Sequence, residues 1–449
     1  MKISILTLVT CLTQTISALE IGITNYGLLQ GATGQVAAGM LDYYEGTKYG
    51  GTIGMFSYPY YWWHAGAAFG ALVDYWHLIG DTSYVNLTKT ALLYQTGDNW
   101  DYIPANQSTT EGNDDQAMWG LAVMGATERN FSNPTSDQPG WLYLSQAVFN
   151  TMAVRWDDST CNGGLRWQIF RWNNGYDYKN AISNGALFHM AARLARYTGN
   201  DSYVDWADKV WYWLESVQYI NESAPGYWAV YDGASALTNC TDVSKLQWTY
   251  NMGLIMAGSA YLYNYTLDEI WLTRTINLVN SSKVFFKNDT MYEAACQPAG
   301  TCDEDQRTFK AIFARCLGLT ARLAPDTNGT IMPWIEASAL AAAASCDGGL
   351  DGHTCGQNWF LGTYDNKYGL GEEMAALEIM QSLRIWDRPA PYTASTGGTS
   401  EGNPAAGLID MTANETKPLD LHTKDKAGAG IITVVIAATI IGSAIWLII

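Results

Sequence analysis

Along most of this chain apolar residues return at the three- and four-residue spacing of a helical face. The pattern predicts twelve helices, over residues 28–45, 64–79, 82–94, 114–128, 140–156, 180–198, 202–219, 246–265, 267–286, 303–323, 331–346 and 371–385. Short turns at 79–82, 197–201, 264–267 and 324–328 join them in pairs, at roughly sixty-residue spacing. The first helix of a pair is small and apolar, as in Ala65, Gly66, Ala67 and Ala68 or Gly253, Ala257, Gly258 and Ala260; the second carries more charge and bulk. A helix apolar all round is buried, and one with a charged face is half exposed. Six inner and six outer helices in sequential hairpins make an all-α fold, an (α/α)6 barrel over residues 19–388. An open α-solenoid would lack the regular alternation.

The ends depart from this pattern. Residues 1–18 read as a secretory signal peptide, closing on the small pair Ser17-Ala18. Residues 389–414 are rich in Pro, Gly, Ser and Thr and read as a flexible spacer. Residues 415–449 combine a polar stretch with an uncharged apolar run from Gly430, the order of a GPI-attachment propeptide with Asn414 as the acceptor. An ordinary transmembrane anchor is the alternative, weakened because no Lys or Arg follows the run. The expected location is the outer face of the plasma membrane or the cell wall, tied to the membrane through the GPI lipid.

Composition narrows the partners. A chain 48% hydrophobic by composition can bury a large core. Its 25 Lys and Arg against 43 Asp and Glu, net -18, disfavour nucleic acid. Without the signal's Cys11 the cysteine number is odd, so three disulfides and one leftover thiol are expected. Cys316 sits in a helical pattern and is the expected free thiol, and short loops suggest Cys296–Cys302 and Cys346–Cys355. Eleven N-x-S/T sequons fit secretion. There is no clustered His/Cys ligand spacing, phosphate-cradling glycine loop or nucleophile elbow, so neither metal nor cofactor is implied, and His64 and His189 read as structural.

The loops preceding inner helices converge on one rim, which gathers Trp62, Trp63, Asn113, Trp167, Tyr178, Lys179, Asn180, Trp248, Tyr250, Asn251, Asp303 and Asp305 as candidate substrate-binding residues. Aromatic faces stack on pyranose rings, and amides and carboxylates take the hydroxyls. Glycosidic cleavage also needs two carboxyl groups. Asp114-Asp115 is the sharpest candidate, although Asn113 with Gln116 also resembles a capping box. Adjacent helical residues splay by about 100°, so their carboxyls flank a small group without leaving room for an intervening water, which favours retention over inversion. Mutual repulsion should raise one pKa, making that residue the acid; the residues alone do not say which. Asp303-Glu304-Asp305 is the rival cluster, read mainly as capping and surface charge.

These blocks resemble the family 76 glycoside hydrolases, endo-α-1,6-mannanases and their fungal GPI-anchored relatives. The likeness rests on Asn113-Asp114-Asp115 with Trp119, Gly163-Gly164-Leu165-Arg166-Trp167-Gln168, residues 178–184, 195–200, Trp248-Thr249-Tyr250-Asn251-Met252-Gly253 and 309–315, with Ala311 where glycine is expected. The resemblance implies a retaining mechanism with Asp114 as nucleophile and Asp115 as acid/base. It implies a fungal wall-remodelling enzyme that takes α-mannan or a GPI-core glycan as donor and β-glucan as acceptor. A non-catalytic mannan-binding wall protein, and an inverting glycosidase or polysaccharide lyase on the same barrel, are the competing readings.

Overall fold

In a computed structural model, residues 19–107 and 109–408 are described, with Thr433, Ile436, Ala437, Ile440 and Ile441 beyond them. The expected signal stretch 1–18 and the expected acceptor Asn414 lie outside the described residues. So does most of 415–449; the five later positions are helical and exposed. Among the described residues no helix is long and apolar enough to cross a membrane.

Twelve helices form the first compact unit, which ends at Gly407. They are α1 (Tyr26–Leu41), α2 (Trp62–Ile79), α3 (Val85–Tyr94), α4 (Asn113–Glu128), α5 (Trp141–Val154), α6 (Ala181–Thr198), α7 (Ser202–Ser216), α8 (Thr249–Thr266), α9 (Glu269–Ser281), α10 (Glu304–Leu323), α11 (Asn328–Ala344) and α12 (Leu370–Gln381). The even-numbered helices pack each on the next, and α12 returns to α2, so the inner ring closes. Each of α3, α5, α7, α9 and α11 covers the inner helix before it. The first helix, α1, is the outer mate of the last, α12, so chain closure joins the two ends of the barrel sequence.

The small inner residues earn their place sterically. A Cβ on Gly66 would lie 2.9 Å from the Trp119 ring, and one on Gly258 2.5 Å from the Phe188 ring. Burial separates the two layers: α12 buries all twelve of its residues, whereas α7, with 15, buries six. At the end where α4 and α6 finish, charges lock the ring. Asp74 meets Arg129 at 2.5 Å and Arg315 at 2.9 Å, Arg315 meets Glu378 at 2.5 Å, and Glu128 meets Arg193 at 2.7 Å. Removing one partner from such a buried pair costs about 3–5 kcal/mol, because the other charge is stranded.

Four short two-stranded ribbons, absent from the helical pattern, ride on this frame. They pair β1 (Tyr178–Asn180) with β4 (Gly233–Ser235), β2 (Ile220–Ala224) with β3 (Tyr227–Val230), β5 (Phe286–Lys287) with β6 (Thr290–Met291), and β7 (Cys346–Gly348) with β8 (Thr354–Cys355). Disulfides join Cys296 to Cys302, Cys346 to Cys355 and Cys161 to Cys240, leaving Cys316 free and buried.

The stretch after residue 388 corrects the spacer reading in part. Up to Gly407 it is a strap bound to the barrel wall. Tyr392 N–H reaches the Glu128 carbonyl at 2.7 Å and Ala394 N–H the Tyr197 carbonyl at 2.9 Å. Farther on, the Asn150 amide holds the carbonyls of Pro404 at 2.9 Å and Ala406 at 2.8 Å. Proline and glycine here shape a docked extended chain, since the C-terminal ends of α4 and α6 and the outer helix α5 supply hydrogen bonds it cannot make internally.

Candidate active site

Inner helices α4, α6, α8 and α10 present their N-terminal ends around one cavity of about 220 Å³. Its floor is the start of α4. Gly112 caps that helix, so the capping-box reading of Asn113 with Gln116 is shifted by one residue: Asp115 Oδ2 accepts the Gly112 N–H at 2.7 Å. Asn113 donates its backbone N–H to the Trp167 carbonyl at 2.8 Å and its amide to the Arg166 carbonyl at 2.8 Å, fixing the helix start to the loop after α5.

Glycine is required at 112 for space. A Cβ there would sit 2.3 Å from Asp114 Oδ1 and 3.2 Å from Asp115 Oδ2. Those two oxygens therefore lie no more than about 5.5 Å apart, closer than the carboxyl separation that inverting glycosidases use. Burial pushes both carboxyls up, Asp114 well above its ordinary value with the charge of Asp115 adding to it, and Asp115 to about 7. The pair gives up its protons as a unit. Asp114 collects two N–H donors, from Asp115 N at 3.1 Å and Asn180 Nδ2 at 3.5 Å, against one for Asp115. Asp114 therefore has the hydrogen bonds to carry a negative charge, while burial and the charge of Asp115 oppose it.

The walls come from neighbouring inner helices. Asn180 caps α6 through Ser183 N–H at 3.2 Å. Tyr178 donates its hydroxyl to Asp232 Oδ2 at 2.8 Å. Tyr250 stacks on Phe309 at 3.6 Å between ring centres, and Trp248 meets the same ring edge-on at 5.6 Å. Trp63 Nε1 donates to Asp305 Oδ1 at 3.0 Å. Burial lifts Asp305 to about 6 and lowers the His64 imidazole to about 3. Neutral His64 takes the Tyr61 N–H on Nδ1 at 3.1 Å, so its proton is on Nε2, 3.4 Å from Asp305 Oδ1. The structural reading of His64 thus gains a point: it sits directly behind a cavity carboxylate. Asp303 lines the cavity too, and its carboxylate also caps α10 in a full box with Gln306.

The cavity brings together Trp63, Asp114, Asp115, Trp167, Tyr178, Asn180, Trp248, Tyr250, Asp303 and Asp305. Four candidates lie elsewhere. Trp62 turns outward from α2 to pack on Trp119, with Nε1 on Gln95 at 2.9 Å. Asn113 faces a neighbouring groove. Lys179 is fully buried and ties the carbonyls of Asp157, Thr160 and Gly163 at 2.7–2.8 Å, holding the loop that Cys161–Cys240 also pins. Asn251 is fully buried in α8. Asp232, Phe309, Gln306, Met118 and Ile182 line the cavity without having been singled out. Phe309 opened a recognised block, but Asp232 follows a hairpin too short to leave a periodic trace.

A chemistry follows from the arrangement: two carboxyls, one protonated and one charged, flank a small space walled by aromatic rings, as glycosidic cleavage requires. Comparison with known proteins agrees. The model of Glycosyl hydrolase family 76 matches residues 29–395. The chain is 58% identical, over 96% of either chain, to mannan endo-1,6-alpha-mannosidase DCW1 of Saccharomyces cerevisiae. Dfg5 from Chaetomium thermophilum, solved with glucosamine, superposes with a TM-score of 0.84 at 40% identity, covering 87% of this chain and 98% of that one. An inactive variant of a Salegentibacter alpha-1,6-mannanase shares the fold, with a TM-score of 0.63 at 17% identity over 80% of this chain and 99% of that one. The chain belongs to glycosyl hydrolase family 76 and is a glycoside hydrolase.

Proposed function

We propose that the protein is a retaining endo-α-1,6-mannosidase that works mainly as a transglycosidase in fungal wall assembly. The observation that carries this reading is the close approach of the Asp114 and Asp115 oxygens over Gly112. Asp114 attacks the anomeric carbon of a mannosyl residue, while Asp115 delivers its proton to the departing glycosidic oxygen. A mannosyl ester on Asp114 and an ionised Asp115 result. Asp115 then takes a proton from an acceptor hydroxyl as that oxygen displaces Asp114, restoring the starting state with the α configuration retained. Water as acceptor gives hydrolysis, and a sugar hydroxyl gives transfer.

Trp63, Trp167, Trp248 and the Tyr250–Phe309 stack offer pyranose platforms around the pair. Beyond them Trp172, 65% exposed, stacks on Phe170 at 5.1 Å and extends the aromatic surface. Sugars held on such rings exclude water, which favours transfer. The donor is α-mannan or a GPI-core glycan and the acceptor β-glucan. Removal of residues 1–18 and lipid attachment after Asn414 would confine the enzyme beside its acceptors, raising their effective concentration. Mass spectrometry that found residues from Ile431 onward in the mature protein would remove the anchor.

The deciding experiment incubates purified protein with a GPI-core mannoside and labelled β-glucan oligomers. A covalent donor–glucan product with an α linkage is expected. Free donor glycan alone, at every acceptor concentration, would reduce the protein to a hydrolase, and a β-anomer as first product would overturn retention.

A further inference from the structure

Next to the cleft lies a second hollow, of about 430 Å³. Arg155, Arg166 and Arg171 line it against a single carboxylate, Asp157. In a chain of net charge -18 this is a local reversal of sign. Two of the guanidinium groups touch no carboxylate. Arg155 gives Nε to the Asn113 amide oxygen at 2.8 Å and a terminal nitrogen to the Gln116 amide oxygen, both neutral acceptors. The carboxyls acting on it from farther off, Asp101 and Glu111, are pushed up by burial, Asp101 to about 6 and Glu111 well beyond its usual range, so they offset it incompletely. Arg171 is exposed and makes no hydrogen bond or ion pair among the described residues. Only Arg166 is paired, with Asp157 at 2.9 Å and Asp177 at 3.4 Å, over the Tyr176 ring.

One extended stretch separates this groove from the cleft. Gln168 pairs with Gly112 in an antiparallel bridge, and the Trp167 and Arg166 carbonyls hold Asn113. Alternation along it sends Trp167 to the cleft and Arg166 and Gln168 to the groove. Asn113 faces the groove and Asp114 the cleft, so the two sites are one residue step apart, about 4 Å of backbone.

We propose that this groove binds a phosphate group carried by the same glycan whose pyranose ring occupies the cleft. Planar guanidinium forks match the paired oxygens of a phosphate, and partners left without carboxylates are free to take one. The groove selects among donors by the charge they carry. This inference rests on the mannoside reading of the cleft.

Calorimetry tests it, with turnover stopped by Asp114→Asn in every arm. The ligands are neutral α-1,6-mannotriose, its positional monophosphate isomers and inorganic phosphate alone. At low salt the best phosphate isomer should bind about tenfold more tightly than the neutral sugar. Adding Arg171→Gln should narrow that ratio to about threefold or less, the neutral ligand serving as the internal reference. Equal affinity for the neutral sugar and every isomer overturns the inference, as does a ratio untouched by Arg171→Gln. Inorganic phosphate binding as tightly as the esters would mark a free-anion site and overturn it as well. If neither sugar binds, the mannoside reading falls and this inference with it.

Discussion

Three inner helices of the barrel open on adjacent acidic residues, and two of those pairs have opposite fates. Asp114-Asp115 begins α4, and Glu372-Glu373 begins α12. Both enjoy the positive end of a helix and both are pushed up by burial, Asp115 to about 7 and Glu373 to about 8. Glu372 is held by Arg307 at 3.0 Å, Glu373 takes the Cys355 N–H at 2.9 Å, and each is only 2% exposed. The aspartates have no Lys or Arg in contact among the described residues and line an open cavity. Acidic type, helix position and raised pKa are shared. What sets the aspartate pair apart is the missing counter-cation together with access.

The comparison can be broken first by charge removal. Asp114→Asn should lower kcat by about 10⁴-fold with the unfolding temperature little changed, whereas Glu372→Gln should leave kcat within about threefold. The same Glu372→Gln substitution should cost about 1–2 kcal/mol in denaturant unfolding, because Arg307 loses its buried partner and keeps only the more exposed Glu304. Equal kinetic losses would show that the two pairs do not differ in kind. Next in size is Gly112→Ala. Its methyl group displaces the Asp114 carboxylate, and kcat should fall about 10²-fold with KM nearly constant.

The smallest effect is on pH. In the folded chain Asp115 and Glu373 keep protons that the unfolded chain releases near 4. The stability this confers is complete below about 4 and is lost as pH rises through about 7 for Asp115 and about 8 for Glu373. Thermal unfolding should therefore occur at a higher temperature at pH 5 than at pH 8.5. The drop should shrink in both Asp115→Asn and Glu373→Gln. Activity should separate the two: the alkaline fall in kcat near pH 7, where Asp115 loses its proton, should persist in Glu373→Gln.

The helical frame was legible because small inner and bulky outer faces repeat over a dozen helices, long enough for period to speak. The ribbons were not, since strands of two to five residues carry too few positions to show alternation. That omission explains the misplaced site residues. Reading 178–180 as the run-up to a helix puts Lys179 on the rim beside its neighbours. As β1 it alternates, and Tyr178 and Asn180 face the cavity while Lys179 points away to hold the loop of Cys161. Trp62 and Trp63 posed the other ambiguity: they stand about 100° apart on α2, and only packing decides which ring meets the sugar.

The docked strap changes what tethering would mean. It begins beside the C-terminal ends of α4 and α6, remote from the cleft, and climbs along α5 to Asn150. Arg155, at the top of α5, already touches the cleft-side residue Asn113. The chain therefore leaves the barrel within about two helical turns of the cleft's rim. If lipid is attached after Asn414, the seven residues from 408 to 414 form a leash of at most about 25 Å. So short a leash would hold the mouth of the enzyme close to the bilayer, within reach of glycans still rooted there, and would limit transfer to acceptors that descend to the membrane surface.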